Sequence, residues 1–131
     1  NWEKQDNDSF NEVYRIADNI LQKDPTHNTA RIFKAYSAFI LAESTNDLEM
    51  TQNLMNEAIF NLRVALVDCK KSIKPQVLYM LGKSYFYKNK ISFYNYYSDL
   101  AIKYLTQAED LGYEAEDLAL LKGLSYTQGS K

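Results

Sequence analysis

The sequence predicts an all-α protein, and three observations lead to this fold class. Apolar residues recur at intervals of three and four along almost all of the 131 residues, which is the spacing of one helix face. Only four glycines and two prolines occur, too few for a turn-rich all-β domain. No stretch alternates apolar and polar residues as a half-buried strand does. We therefore expect about six helices whose short loops make neighbours antiparallel.

The six predicted helices follow one another between recognisable start and stop signals. The first begins near residues 8–9 and ends at Asp24-Pro25, because the residue before a proline is disfavoured in the α conformation. Pro75 suits the first turn of the fourth helix, where its missing amide proton costs nothing. Gly112 suits the left-handed position that follows a helix. The later helices are predicted over residues 28–43, 48–71, 75–88, 92–111 and 115–127.

Each predicted helix carries its own apolar stripe, which defines its candidate core residues. The stripes of the first three helices are Phe10-Val13-Ile16-Ala17-Ile20-Leu21, Ile32-Phe33-Tyr36-Phe39-Ile40 and Leu54-Ala58-Ile59-Leu62-Ala65-Leu66. Those of the last three are Leu78-Leu81-Gly82-Tyr85-Phe86, Leu100-Ala101-Tyr104-Leu105-Ala108 and Leu118-Leu121-Gly123-Leu124-Tyr126.

Two kinds of stripe alternate along the chain, which indicates an internal repeat. The fourth helix reads Leu78-x2-Leu81-Gly82-x2-Tyr85, and the sixth keeps Gly123-x2-Tyr126. The third reads Ala58-x3-Leu62-x2-Ala65, and the fifth reads Ala101-x3-Leu105-x2-Ala108. A glycine inside a helix costs about 0.8–1 kcal/mol relative to alanine, so Gly82 needs a packing reason. The expected reason is close approach of a neighbouring helix that presents the small alanines.

This alternation resembles the tetratricopeptide repeat family, in which W-x2-L-G-x2-Y on helix A precedes A-x3-F-x2-A-x4-P on helix B. The Leu78 to Tyr85 motif matches helix A with Leu in place of Trp, and the two alanine motifs match helix B. Looser matches are Val13, Ala17, Ile20 and Pro25 for helix B, and Phe33, Tyr36, Ser37 and Ile40 for helix A. The spacing departs from the family: Gly82 to Gly123 is 41 residues against a period of about 34.

The resemblance implies a single domain over residues 1–131, a superhelical array of three antiparallel helix hairpins. In such arrays the inner faces of the A helices line a concave groove that binds a peptide or a partner helix. The implied groove is basic and aromatic, which favours an acidic or a C-terminal partner segment. The residues that this register places in the groove are Arg31, Lys34, Gln76, Tyr79, Lys83, Phe86 and Tyr87.

The charge pattern leaves a second function open. The chain carries a net charge of −2, yet residues 69–98 contain six lysines and no acidic residue. Lysine neutralises phosphate and tyrosine stacks on bases, so this stretch is also a candidate surface for an anionic ligand or nucleic acid. Its aromatic side chains exceed what one packed stripe needs, and both partner binding and codon bias account for the excess. They are Tyr79, Phe86, Tyr87, Tyr94, Tyr96 and Tyr97.

The residues with reactive side chains do not form a catalytic pattern. His27 is interpreted as an exposed turn residue and Cys69 as a bystander, since no partner base follows from the sequence. The adjacent acidic pairs at residues 109–110 and 116–117 are both interpreted as solvated charges, because neighbouring residues do not share a helix face. Glu116 and Asp117 also lie near a helix start, where negative charge is favoured. We therefore expect no enzyme, no metal site and no cofactor.

The ends of the chain suggest a piece of a larger protein. It begins at Asn1 rather than Met and has no apolar leader segment, which fits an extracytoplasmic domain of a bacterial protein and a cytoplasmic domain equally. No run approaches the roughly 18 apolar residues of a membrane span. An end helix without its repeat partner would favour a homodimer through that end.

Overall fold

The computed structural model describes residues 2–92 and 96–129, with side chains over 8–92 and 96–128. In this part of the chain six α-helices and no strand are present, which confirms the all-α class. None of the helices described is long and apolar enough to cross a membrane. The helices are α1 (Trp2–Lys23), α2 (Asn28–Ser44), α3 (Leu48–Val67), α4 (Lys74–Lys90), α5 (Ser98–Asp110) and α6 (Leu118–Gly129).

Several helix boundaries differ from the prediction. α1 already begins at Trp2, so residues 8–9 lie inside it and do not cap it. α3 ends at Val67, because the chain then forms a separate turn in which the amides of residues 73 and 74 both donate to the Lys70 carbonyl. α5 begins at Ser98 rather than at residue 92, since the Ser92 hydroxyl bonds back to the Lys88 carbonyl at the end of α4. α6 begins three residues later than predicted.

Two local signals act as the sequence predicts. Pro75 occupies the first turn of α4. Gly112 has a φ of 87° and ends α5 by donating its amide to the Glu109 carbonyl, while the amide of Tyr113 donates to the carbonyl of Ala108. This pair of bonds is the Schellman motif, which satisfies carbonyls that the helix end would leave unpaired.

The chain divides into two compact units, Asn1–Asp68 and Cys69–Lys131. In the first unit α2 packs against α1 and α3. In the second, α5 packs against α4 and α6. Consecutive helices in each unit thus pack on one another, an arrangement compatible with a helical repeat.

The core of the first unit contains fully buried small residues on α2 and on α3. Ala35 and Ala38 on α2 and Ala58 and Ala65 on α3 have no exposed surface. The Asn28 side chain adds a hydrogen bond of 3.0 Å from its amide to the carbonyl of Ala65. The α3 alanines of the predicted motif are therefore fully buried.

In the core of the second unit, α4 and α5 approach each other closely at Gly82, as the sequence predicts. A Cβ atom added at Gly82 would lie 2.7 Å from Cγ of Leu105 and 3.0 Å from its backbone nitrogen. Ala101, Leu105 and Ala108 are fully buried on α5. The glycine is present because α5 leaves no room for a side chain on α4 at this point.

Candidate functional site

Lys34 on α2 lies between carboxylates of the two neighbouring helices. Its Nζ is 2.8 Å from Oδ1 of Asp18 on α1 and 3.2 Å from Oε1 of Glu57 on α3. The Tyr14 hydroxyl donates to the same Glu57 oxygen at 2.6 Å, and Nζ of Lys34 lies 5.5 Å from the centre of the Tyr14 ring. This Lys34 cluster ties together all three helices of the first unit.

The contacts of the Lys34 cluster shift the pKa values of its members. Burial raises the pKa of Tyr14, and the hydrogen bond to Glu57 adds to that increase. The hydrogen bond from Lys34 lowers the pKa of Asp18. Burial on its own would lower the pKa of Lys34, but the bonds to the two carboxylates together outweigh it and raise the pKa. Lys34 therefore stays charged and already has two counter-charges.

Arg31, the other predicted groove residue on α2, is held by uncharged partners. Its Nη1 donates to Oδ1 of Asn61 at 2.8 Å, and its Nη2 donates to the Pro25 carbonyl at 2.8 Å. Asn61 is buried on α3 and donates in turn to the Glu57 carbonyl. The guanidinium thus links the loop before α2 to α3.

A second ionic cluster surrounds Lys83 on α4. Its Nζ lies 3.1 Å from Oδ2 of Asp117, and the Tyr79 hydroxyl donates to Oδ1 of the same carboxylate at 2.5 Å. The Tyr79 ring packs on Tyr113 with centroids 4.9 Å apart. Tyr79 and Lys83 are four residues apart on one helix face, so both reach the chain just before α6.

The pKa values in the Lys83 cluster favour the ion pair. Burial and the bond to Asp117 raise the pKa of Tyr79 to about 12. Burial would raise the pKa of Asp117 and lower that of Lys83. The bonds within the cluster outweigh burial, so the pKa of the carboxyl falls and that of the lysine rises.

We expect the Lys83 cluster to make part of the stability depend on acid pH. Because the folded pKa of Asp117 lies below its usual value near 4, its contribution is present above about pH 4 and is lost as the pH falls through the folded pKa. Thermal unfolding midpoints between pH 2.5 and 7 should therefore fall less steeply for Asp117→Asn than for the unsubstituted chain. Glu116→Gln, at the exposed neighbouring position, is the control and should keep the full slope. If the midpoints of all three proteins fell equally steeply with pH, the acid sensitivity could not be assigned to Asp117.

The remaining predicted groove residues also lie on α4. Gln76 is exposed, Tyr87 is half-buried, and Phe86 is buried with only 5% of its surface exposed. The rings of Phe86 and Tyr87 meet edge to face at 5.3 Å, and Nζ of Lys90 lies within 6 Å of both centroids. Tyr79 is also buried, at 7% exposed. Gln76, Lys83 and Tyr87 are thus the accessible members of the set on α4.

The other aromatic side chains of the lysine-rich stretch are partly used in packing. Tyr85 stacks on Tyr104 with centroids 5.8 Å apart and on Tyr97 at 6.0 Å. Tyr96 is 72% exposed. Tyr94 lies outside the described residues. Of the described side chains in the aromatic excess, Tyr97 thus packs on the core residue Tyr85, whereas Tyr96 is exposed.

An apolar cavity of about 320 Å³ lies along α1 and α2 in the first unit. Ile16 and Phe33 are about half-exposed at its edge, at 46% and 54%. Both residues were expected in the core, and this expectation is wrong: Ala17 and Leu21 are buried on α1, whereas Ile16 and Phe33 remain about half-exposed. The same expectation is wrong for Tyr36, Leu124 and Tyr126, which are 38%, 41% and 59% exposed. The lining residues are Val13, Ile16, Ala17, Ile20, His27, Thr29, Ala30 and Phe33.

A larger, acidic cavity of about 670 Å³ lies at the corner between α5 and α6. Glu109, Glu114 and Glu116 contribute to its wall, and Lys122 binds Glu109 at 3.0 Å. Among the described residues no group of three or more His, Cys, Asp or Glu side chains is arranged to hold a metal ion. The acidic wall by itself defines no ligand.

His27 has a local structural role. Its ring Nδ1 accepts a hydrogen bond of 3.1 Å from the amide of Ala30, so it caps the start of α2. The side chain is exposed, as expected for a turn residue. Cys69 is half-buried just after α3.

Sequence reasoning missed the acidic partners of the two lysines. Asp117 is not simply a solvated charge, since it accepts bonds from Tyr79 and Lys83. On α1, the four-residue spacing of Tyr14 and Asp18 was a usable signal, because it places both side chains on one helix face. Nothing in the spacing shows that this face meets Lys34.

Among the described residues, fold and contacts together define an all-α protein in which consecutive helices pack on one another within each unit, and each unit contains one of the two lysine-centred clusters. No protein-family model matches the chain, and a search of curated proteins finds no match.

Proposed function

We propose that the protein is a non-catalytic interaction module of the tetratricopeptide type, which binds a helix or peptide of a protein partner. The observation that carries the proposal is the apolar cavity of the first unit, with half-exposed Ile16 and Phe33 at its edge. Clustered apolar side chains on a surface mark sites of protein interaction. A cavity of this size and lining suits one large aliphatic or aromatic side chain from an amphipathic helix.

The tetratricopeptide assignment is supported by the packing of the motif residues and not by sequence similarity to known proteins. Gly82 of the A-type motif meets Leu105 of the B-type motif at the distance where a Cβ would clash. The alanines of both B-type motifs are fully buried. If A-type and B-type helices pack as pairs, the small residues of both motifs should be buried, as they are here.

The ionic clusters alter the expected chemistry of the partner. Lys34 and Lys83 were expected to attract an acidic segment, but each already contacts a carboxylate of this chain. An acidic partner would have to compete with these intramolecular pairs. We therefore propose that recognition in the first unit is mainly apolar, and that Gln76, Lys83 and Tyr87 form a second contact surface on α4.

The apolar cavity is tested by affinity capture from nuclease-treated lysate, followed by measurement of the affinity for the captured protein. Ile16→Asp/Phe33→Asp places charge at the cavity edge, where both side chains are about half-exposed, and circular dichroism checks that the variant is folded. We expect at least tenfold weaker binding by this variant, and unchanged binding by Leu48→Asp, which alters another exposed apolar side chain of the same unit. Equal affinity of all three proteins would refute the cavity as the site.

The α4 surface is tested in the same experiment with Lys83→Glu/Tyr87→Ala. Loss of binding in this variant alone would move the site to α4. Capture that succeeds only from lysate without nuclease treatment, and that falls steeply with salt, would instead favour nucleic acid, and with it the lysine-rich residues 69–98.

A further inference from the structure

The chain between α5 and α6 lies against the face of α4 that carries Tyr79 and Lys83. The ring of Tyr113 packs on the ring of Tyr79, with centroids 4.9 Å apart. Four residues later, the carboxylate of Asp117 accepts one bond from the Tyr79 hydroxyl at 2.5 Å and one from Nζ of Lys83 at 3.1 Å. We call residues 113–117 the inner segment. One aromatic ring and one carboxylate of this segment thus cover the middle of the α4 face.

The inner segment has the chemistry that the sequence predicts for a partner of α4. The basic and aromatic residues of this helix favour an acidic peptide, and the inner segment reads Tyr-Glu-Ala-Glu-Asp. Tyr79 and Lys83 donate to different oxygens of one carboxylate, so together they form a site for a carboxylate group. The group that occupies this site in the structure belongs to the same chain.

The inner segment covers only part of the α4 face. Gln76 lies about one turn before Tyr79 and is exposed, and Tyr87 lies one turn after Lys83 and is half-buried. The helix rises about 17 Å from the first to the last of these four residues. A peptide that spans this length repeats the contacts of the inner segment and adds contacts to Gln76 and Tyr87. It therefore has binding energy available that the inner segment lacks.

The position of the inner segment allows it to leave α4 without the loss of a helix. α5 ends at Asp110 and α6 begins at Leu118, so the segment lies between helix ends. The acidic cavity of about 670 Å³ borders it and provides space for movement. The side chains of Lys83 and Asp117 are 22% and 36% exposed, so a ligand in solution can reach the ion pair.

We propose that the inner segment is an autoinhibitory occupant of α4, displaced by an acidic peptide with an aromatic residue and a carboxylate four positions later. This inference rests on the α4 contact surface of the proposed function and names its ligand. Because the inner segment is tethered, it competes at a high effective concentration. The affinity of the chain for the peptide is therefore reduced by the fraction of molecules in which the site is free.

The probe for this proposal is a synthetic peptide with the sequence of residues 111–119, labelled for fluorescence anisotropy. The opened variant Tyr113→Ala/Asp117→Ala removes both contacts of the inner segment and keeps Tyr79 and Lys83 in place. We expect it to bind the peptide at least tenfold more tightly than the unsubstituted chain does. Addition of Lys83→Met to the opened variant should abolish this gain.

The matched control is Glu114→Ala/Glu116→Ala, which removes two exposed charges from the same segment. This control should bind the peptide as weakly as the unsubstituted chain. Circular dichroism checks that each variant is folded. If the opened variant is unfolded, Asp117→Asn replaces it, because asparagine keeps the size of the side chain and removes its charge; this variant should also bind more tightly.

A second measurement uses the unsubstituted chain, labelled with stable isotopes. The unlabelled peptide should abolish the nuclear Overhauser effects between the rings of Tyr79 and Tyr113 as it binds. Peptide binding that leaves these effects unchanged would overturn the proposal. So would equal affinity of the folded opened variant and the unsubstituted chain, or equal binding of a peptide with alanine at both the tyrosine and the final aspartate position.

This experiment and the lysate capture can fail separately. The peptide measurement needs no captured protein, so its failure removes the autoinhibitory role and leaves the interaction module to be decided by capture. Capture that is insensitive to every site variant would refute the proposed sites, whatever the peptide does.

Discussion

Replacing Gly82 with leucine is expected to destabilise the protein by about 1–3 kcal/mol. The added Cβ alone would lie 2.7 Å from Cγ of Leu105 and 3.0 Å from the backbone nitrogen of that residue. Both groups are buried, and the backbone cannot rotate away as the end of a long side chain would. α5 must therefore move off α4, which also disturbs the stack of Tyr85 on Tyr104.

The matched control for this substitution is the other mid-helix glycine. Gly123 has the same motif position on α6 but open space around it, so Gly123→Ala should stabilise the protein by about 0.5–1 kcal/mol through helix propensity alone. Urea unfolding followed by circular dichroism measures both changes. Opposite signs support the packing assignment, whereas an unchanged midpoint for Gly82→Leu would contradict it.

The sequence predicts most of the fold because most of the relevant signals are local. Pro75 and Gly112 act within one turn of where they stand, and the alanine motifs bury the side predicted for them. The start of α5 could not be predicted in this way. Ser92 reads as a helix start, but it bonds to the end of the preceding helix instead, and that competition depends on the path of the chain.

The candidate sites are harder to predict, because they depend on which faces meet. Lys34 and Asp18 are 16 residues apart, and Lys83 and Asp117 are 34 apart, so no helical spacing connects them. Phe33 fits a helical apolar stripe and yet lies half-exposed, because periodicity identifies an apolar face without showing that anything covers it. The apolar cavity of the first unit is a surface of this kind.

Replacing Lys34 with methionine is expected to destabilise the first unit by about 2 kcal/mol. The lysine side chain is only 15% exposed, and its removal leaves Asp18 and Glu57 partly buried without their shared cation. Removing one partner of a fully buried ion pair costs about 3–5 kcal/mol, and removing an exposed one about 0–1 kcal/mol. The carboxylates here are about one-third exposed, which places the cost between these limits.

The pH dependence of this loss of stability distinguishes the contribution of the lysine charge from the contribution of its alkyl chain. The lowered pKa of Asp18 means that its pairing stabilises the fold above about pH 4 and ceases to do so as the carboxyl is protonated. The difference between Lys34→Met and the original chain should therefore shrink below pH 4. Arg15→Met, which breaks the exposed pair with Glu12, should leave stability unchanged in the same urea titrations. If the cluster is ionic, the difference in unfolding free energy between Lys34→Met and the original chain cannot stay constant down to pH 2.5. A constant difference would show that the alkyl chain causes the loss of stability, and it would refute the ionic role of the Lys34 cluster.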